Sequence, residues 1–179
     1  MLIKIDSGKN GPDQAPSDVV DLLLDCHERI RLFIELACRL SQIDTVSNDE
    51  VCDAAERIVR YFSESLPLHV ADEEETVVAR LTGRDPELDA AIDGMQQEHV
   101  DHRSDLDSLL GNCRILTRSP ERLPELRKSL SNAALSLRHQ FVRHLEQEEK
   151  NIFPAIRTLL TADERKVMMN ELRDRRSTC

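Results

Sequence analysis

The sequence predicts an all-α protein, folded as an antiparallel up-down-up-down four-helix bundle with a short fifth helix at the C-terminus. The 179-residue chain has no Trp, one Tyr, four Phe and five Gly, so aromatic strand formers and turn residues are scarce. Hydrophobic residues make up 40% of the chain and charged residues 32%, the mixture expected of amphipathic helices. Apolar residues also recur every three or four positions along four long segments, which is the period of one helix face.

Capping residues mark where the first three helices begin. The first sixteen residues contain two Gly and two Pro and are expected to form a flexible or loosely docked arm. The helices that follow should end near residue 42, before residue 83 and near residue 116. Their N-caps are predicted at Ser17-Asp18, at Ser47 or Asn48, and at Asp85-Pro86.

The second half of the chain follows the same pattern. A connector at residues 119–124 precedes a fourth helix that runs to about residue 160. Thr161 and Glu164 have the spacing of a capping box and open a fifth helix, which we expect to fray from Arg173 onward. Pro67 and Pro154 lie inside helices two and four and should bend them. The predicted organisation is an arm at 1–16, a bundle at 17–160, and a short helix and tail at 161–179.

Helices two and four carry the same motif 75 residues apart. Each motif places a histidine and a glutamate, four residues apart, on the apolar stripe that should face the core. The matching stripes are Phe62, Leu66, His69, Glu73, Val77 and Leu137, Phe141, His144, Glu148, Ile152. Buried imidazoles and carboxylates are costly unless something compensates them, and a metal ion compensates both together. The repeat therefore predicts a metal site inside the bundle.

Helices one and three each add an inward histidine. His27 and His99 lie on apolar stripes that align at an offset of 72 residues, where Arg31 also matches Arg103. Four imidazoles and two carboxylates should then meet at one level of the bundle. This ligand set suits iron or manganese, with zinc possible, and suffices for two metals bridged by the glutamates.

The other polar residues near these stripes have less defined predicted roles. His102 lies on the buried stripe beside His99, either as a fifth imidazole ligand or as a histidine lining the cavity. Tyr61 is a weak candidate for supporting the ligands, because it lies eight residues before His69. Glu74 and Glu149 lie one residue off the stripe and are expected to face solvent or to support the ligands indirectly. His139 should face away from the site.

The composition excludes several classes of function. A net charge of −10 with no basic stripe argues against nucleic-acid binding. No apolar run reaches membrane-spanning length, and residues 1–16 lack the apolar core of a signal peptide, so we expect a soluble, cytoplasmic protein without membrane partners. Five cysteines without a C-x-x-C spacing indicate reduced thiols and not a thiolate metal site.

These motifs together resemble the hemerythrin-like (HHE cation-binding) family over roughly residues 17–160. The motifs that carry the resemblance are His27, His69-x-x-x-Glu73, His99, and His144-x-x-x-Glu148 followed by 151–154. The resemblance implies a four-helix bundle that holds two non-haem iron ions, bridged by carboxylates and by an oxo or hydroxo group. Oxygen-carrying members have a second histidine where this chain has Arg103, and an aspartate five residues beyond the last histidine, where this chain has Glu148 at four. The chain is therefore closer to the broad HHE class.

The resemblance leaves three functions open. The first is a di-iron protein that engages O2, NO or peroxide for sensing, storage or detoxification. The second is a di-iron oxidoreductase that reduces peroxide or NO, or acts in iron–sulfur repair, with an electron donor that the sequence does not identify. The third is an iron-responsive or structural interaction module, in which the metal mainly stabilises the bundle.

Overall fold

The computed structural model describes residues 17–177, and every regular element in that range is helical. This confirms the prediction of an all-helical protein. The predicted arm at residues 1–16 lies outside the described residues, as do Thr178 and Cys179. Within the described range, no helix is both long and apolar enough to span a membrane.

Within residues 17–177 the helices join into four rods and one C-terminal helix. Rod 1 is α1 (Val19–Gln42). Rod 2, residues 48–81, combines three α-helical and two π-helical stretches: α2 (Asn48–Arg60), π1 (Tyr61–Ser65), α3 (Leu66–Ala71), π2 (Asp72–Val77) and α4 (Val78–Leu81). Rod 3, residues 86–116, contains α5 (Pro86–Asp101) and α6 (Arg103–Leu116). After a 3₁₀ turn (Pro120–Arg122), rod 4 covers residues 123–159 with α7 (Leu123–Gln147), π3 (Glu148–Ile152) and α8 (Phe153–Leu159). Helix α9 is Ala162–Ser177.

The capping residues act as the sequence indicated. The Asp18 side chain accepts a hydrogen bond from Val19 N, and Asp85 accepts from the amides of residues 87 and 88. Of the two candidates before rod 2, Ser47 is the N-cap, and it forms a capping box with Glu50. The capping box at residues 161 and 164 is also formed. Each such cap satisfies amides at a helix start and contributes about 1 kcal/mol.

The C-terminal helix corrects one prediction. We expected the chain to fray from Arg173 onward, but α9 continues to Ser177. Arg175 and Arg176 form ion pairs with Asp72 in π2, and these contacts hold the last turn of α9 against rod 2. Local sequence gave no sign of this partner because Asp72 lies about a hundred residues earlier in the chain.

The rods pack as a closed ring. Helix α1 contacts α2 and α7, while α6 contacts both α2 and α7, so each rod has two neighbours. Helix α9 lies outside this ring and packs on α1 and π2. The arrangement is a helical bundle with α9 packed against one end of it.

In the described part of the chain, the core divides into two apolar clusters at different levels. Cluster 1 includes Ile30, Ile58, Leu109 and Leu137. Cluster 2 lies under α9 and includes Leu23, Leu81, Ile92 and Ile156. Each fully buried side chain of this kind stabilises the fold by about 1.5–3 kcal/mol. Every rod passes from one cluster to the other, and the predicted ligands lie where the rods cross between the clusters: His27, His69 with Glu73, His99, and His144 with Glu148.

Candidate metal centre

Four histidines and two glutamates converge between clusters 1 and 2. All six side chains are buried, the most accessible at 8% exposure. Their possible donor atoms form two groups, and within each group the atoms lie within 4.8 Å of one another. The first donor group is His27, His69, Glu73 and Glu148, and the second donor group is His99, His144, Glu73 and Glu148. Both groups share the two glutamates.

Both shared glutamates lie in π turns, Glu73 in π2 and Glu148 at the start of π3. A π turn inserts one extra residue into a helix, and such turns are frequent at functional sites. Pro67 and Pro154, at which the sequence predicted bends, each follow a π turn closely, because a proline has no amide hydrogen to donate to the preceding turn. The turn π2 has no such proline, but Arg175 of α9 donates to three of its side chains.

Each carboxylate directs one oxygen toward each pair of histidines. Glu73 Oε1 lies 3.1 Å from His69 Nε2 and 3.8 Å from His27 Nε2, while Glu73 Oε2 lies 3.4 Å from His99 Nε2. Glu148 Oε2 lies 3.0 Å from His27 Nε2, and its Oε1 lies 3.1 Å from His144 Nε2. The two carboxylates therefore span two imidazole pairs, and the arrangement has the two-fold character of the sequence repeat.

These close approaches lack hydrogen-bond geometry, which is the structural reason to expect a metal. Nε2 of His27, His69 and His99 and all four oxygens of Glu73 and Glu148 have no hydrogen-bond partner among residues 17–177. Buried polar atoms are rarely left in this state. Two ligand atoms about 2.1 Å from a common ion, at right angles around it, are about 3.0 Å apart. Three of the five separations lie at 3.0–3.1 Å, so the residues present fit metal cations bound by nitrogen and oxygen.

Burial and mutual contact shift the pKa values of the two carboxyl groups in opposite directions. Burial and the charge of Glu73 raise the pKa of Glu148 to about 8. Burial would also raise the pKa of Glu73, but His69, His27 and His99 outweigh it and hold that pKa well below its usual range. The pair thus shares one proton when no cation is bound, as closely spaced carboxyl groups do.

The pKa values of the four imidazoles are also shifted in opposite directions. Burial alone would lower the pKa of each ring, but the facing carboxylates of Glu148 and Glu73 raise the pKa of His27 to about 10. Glu73 and Glu74 likewise raise that of His99 to about 9. For His69 and His144 burial prevails, and their pKa values fall to about 4. Two rings are therefore neutral near pH 7, and the other two carry protons that a bound cation must displace.

Three of the four imidazole rings have Nδ1 within hydrogen-bond distance of a carboxylate outside the donor groups, and we say that this carboxylate holds the ring. His27 Nδ1 lies 2.8 Å from Glu149 Oε1, and His99 Nδ1 lies 2.9 Å from Glu74 Oε1. His144 Nδ1 lies 2.9 Å from Glu98 Oε2. Such partners fix the orientation of a ligating imidazole and raise its basicity. Glu74 and Glu149 thus contact the rings of two candidate ligands, and their indirect supporting role stays a prediction.

Sequence reasoning missed Glu98. It precedes His99 in the chain but serves His144 on the neighbouring rod. The repeat did not point to it because the aligned position in the first half is Cys26. The only signal in the sequence was an acidic residue directly before an inward histidine.

His102 lies beside the second donor group but is not a member of it. Its ring packs against His144 with centroids 5.0 Å apart, and against Phe141 at 4.7 Å. The residue is buried at the junction of α5 and α6, and burial lowers its pKa to about 4. A neutral imidazole at this place is available to a cation, and its role as a ligand stays a prediction.

Tyr61 packs against two other aromatic rings. Its ring stacks on Phe33 with centroids 4.1 Å apart and meets Phe62 edge-on. Its supporting role toward the ligands is not evident in these contacts and stays a prediction. His139 is exposed, as the helical pattern indicated.

A small cavity adjoins the second donor group. It has a volume of about 10 Å³ and is lined in part by Met95, Glu98, His144 and Glu148. That is about the space needed by a single water molecule. Any molecule that reaches His144 and Glu148 from this side must therefore be very small.

The all-helical fold and the buried imidazole–carboxylate cluster define a metal-binding helical protein. The sequence matches the hemerythrin HHE cation binding domain over residues 18–156, and the chain belongs to this family. This confirms the resemblance carried by the His and Glu motifs. A search of curated proteins finds no match to the chain. Cation binding is thus the activity that the family and the two donor groups jointly support.

Proposed function

We propose that this protein binds two iron ions between its four rods and uses them to engage O2, NO or peroxide. The observation that carries the proposal is the bridging position of Glu73 and Glu148, each with one oxygen toward each imidazole pair. A single ion would leave one imidazole pair and two carboxylate oxygens buried without a partner, at a cost of several kcal/mol. Two ions would satisfy both groups.

Iron is the proposed metal because of the chemistry of the donors. Imidazole nitrogens and carboxylate oxygens form a site of intermediate hardness, which suits iron and also permits manganese or zinc. Family membership supports the binding of a cation, and the resemblance to hemerythrin-like proteins supports iron as that cation. When bound, iron supplies redox activity and a coordination position for a small molecule.

The proposed ligand is small because the space around the site is small. The cavity of about 10 Å³ beside His144 and Glu148 suits molecules of one or two heavy atoms. Met95 and Ile152 give it apolar walls, and Glu98 forms part of its polar wall. The protein residues would thus hold the ions, exclude larger molecules and fix the imidazole rings.

The proposal includes the antiparallel up-down-up-down topology. Rods 1 and 3 begin in cluster 2 and end in cluster 1, whereas rods 2 and 4 run from cluster 1 to cluster 2. Alternation of this kind supports antiparallel neighbours. It also explains how equivalent ligands recur after each pair of rods.

The first test is the iron content of freshly purified protein, together with its visible spectrum before and after dithionite and air. We expect about two iron ions per chain and charge-transfer bands that bleach and return. Glu148→Gln should lose both ions, because it removes a carboxylate shared by both donor groups. Glu146→Gln is the matched control, since Glu146 is 53% exposed on the same rod. One ion per chain, zinc alone or a spectrum without such bands would contradict the proposal.

Two further measurements separate the alternatives. Turnover of peroxide or NO with an electron donor, abolished by Glu148→Gln, would identify an oxidoreductase. A large loss of stability on metal removal, without any spectral response to O2, NO or peroxide, would identify a structural or iron-responsive module.

A further inference from the structure

The two donor groups differ in the carboxylates that hold their imidazoles from outside. In the second donor group both rings are held, His99 by Glu74 and His144 by Glu98. In the first donor group Glu149 holds His27, but His69 Nδ1 has no hydrogen-bond partner anywhere in the described part of the chain. His69 is 3% exposed, so water does not readily replace the missing acceptor.

The internal repeat explains the missing partner. The offset that aligns His27 with His99 aligns Cys26 with Glu98. Glu98 reaches the histidine of the next rod, whereas the Cys26 thiol is short, buried and a weak acceptor. The repeat thus has a cysteine in the first half at the position that corresponds to Glu98 in the second.

Nearby positive charge increases the difference. Arg176 Nη2 lies 3.5 Å from Cys26 Sγ and also pairs with Asp72, which directly precedes Glu73. Arg31 lies 2.7 Å from Glu149 and neutralises part of the charge of the acid that holds His27. The acids Glu74 and Glu98 face the second donor group instead.

We propose that the second donor group binds its metal more tightly and fills first, and that Glu98 is the positioning residue that sets this order. The inference rests on the proposed two-metal function. Loss of one carboxylate that holds a ligating histidine weakens metal binding about 10–100-fold. The second donor group has two such carboxylates and the first has one, so their affinities should differ by about that factor.

The test is an anaerobic titration of the metal-free, full-length protein with Co²⁺, followed by visible absorption and calibrated with a competing chelator. The unmodified protein should bind two ions in steps about 10–100-fold apart. Glu98→Gln should weaken the tighter step by about that factor and bring the two steps together. Glu149→Gln is the matched variant, because its side chain is 27% exposed against 29% for Glu98. It should weaken only the looser step and widen the separation.

Glu74→Gln gives an independent variant if Glu98→Gln does not fold. It removes the other carboxylate that holds the second donor group, and it should also bring the two steps together. Two equal steps in the unmodified protein would overturn the inference and leave the two-metal proposal standing. The inference would also be overturned if Glu98→Gln and Glu74→Gln weakened only the looser step. Fewer than two ions at saturation would overturn the two-metal proposal itself.

Discussion

Replacing both Arg175 and Arg176 with methionine should destabilise the protein by about 3–5 kcal/mol. Both arginines lie on α9 and form ion pairs with Asp72, whose side chain is 0% exposed. The double substitution leaves that carboxylate buried without these two cations, while the methionines keep most of the aliphatic contact of the arginines.

The magnitude follows from the burial of Asp72. Burial raises its pKa although both arginines oppose the shift, so the charged form is already costly with its partners in place. An ion pair of this kind gives little net stability, but removing the cations exposes the full cost of the remaining charge. A loss of about 3–5 kcal/mol is a large part of the roughly 5–15 kcal/mol typical of a folded domain.

The assay is urea unfolding followed by circular dichroism at fixed metal content. Arg173→Met is the control, because Arg173 is exposed on the same helix and should change stability by less than about 0.5 kcal/mol. Adding Asp72→Asn to the double variant should restore most of the loss, since the buried charge is gone. Because burial raises the pKa of Asp72 in the fold, the double variant should also gain stability as the pH falls. A loss below about 1 kcal/mol, or no recovery in the triple variant, would refute this reasoning.

Three further predictions concern the metal. Chelation should lower the melting temperature, measured by scanning calorimetry, by about 8–16 °C. This value assumes that the free metal was present at about a thousand times its dissociation constant before chelation. Metal loading near pH 7 should release protons, because His27, His99 and Glu148, with pKa values raised to about 10, 9 and 8, share protons that a bound cation must displace. Calorimetry in buffers of different ionisation enthalpy measures their number. Metal-free protein should lose stability between pH 6.5 and 10, because the raised pKa values of His27 and His99 mean that the fold binds protons that the unfolded chain has released.

Each metal prediction has a result that contradicts it. An unchanged melting temperature after complete chelation would mean that the metal does not stabilise the bundle. Release of no protons would mean that the ligands are already deprotonated before binding. Stability that rises over the same alkaline range would mean that the imidazoles lack the carboxylate contacts described above.

The sequence predicted the helices and the convergence of the polar side chains because both depend on local periodicity. His69, Glu73, His144 and Glu148 lie on stripes whose spacing alone assigns them to the core face. Capping chemistry marked the helix starts for the same reason, since an N-cap acts within three residues of itself.

Contacts between distant parts of the chain were not predictable in this way. Glu98 serves His144, 46 residues away, and Arg176 reaches Asp72 at a separation of 104 residues. Neither pair has a fixed spacing that a pattern could reveal. The π turns also escaped prediction. The turn π2 has no nearby proline, and its side chains accept hydrogen bonds from Arg175 of α9, which is distant in sequence.

The shared glutamates have a consequence for the dynamics of the molecule. The first donor group takes three residues from the first half of the chain and Glu148 from the second, while the second donor group takes Glu73 from the first half. Bound cations would therefore cross-link the two halves, and the halves could separate only by breaking metal–carboxylate bonds. The rate at which isotopically labelled metal exchanges would then report how often the bundle opens.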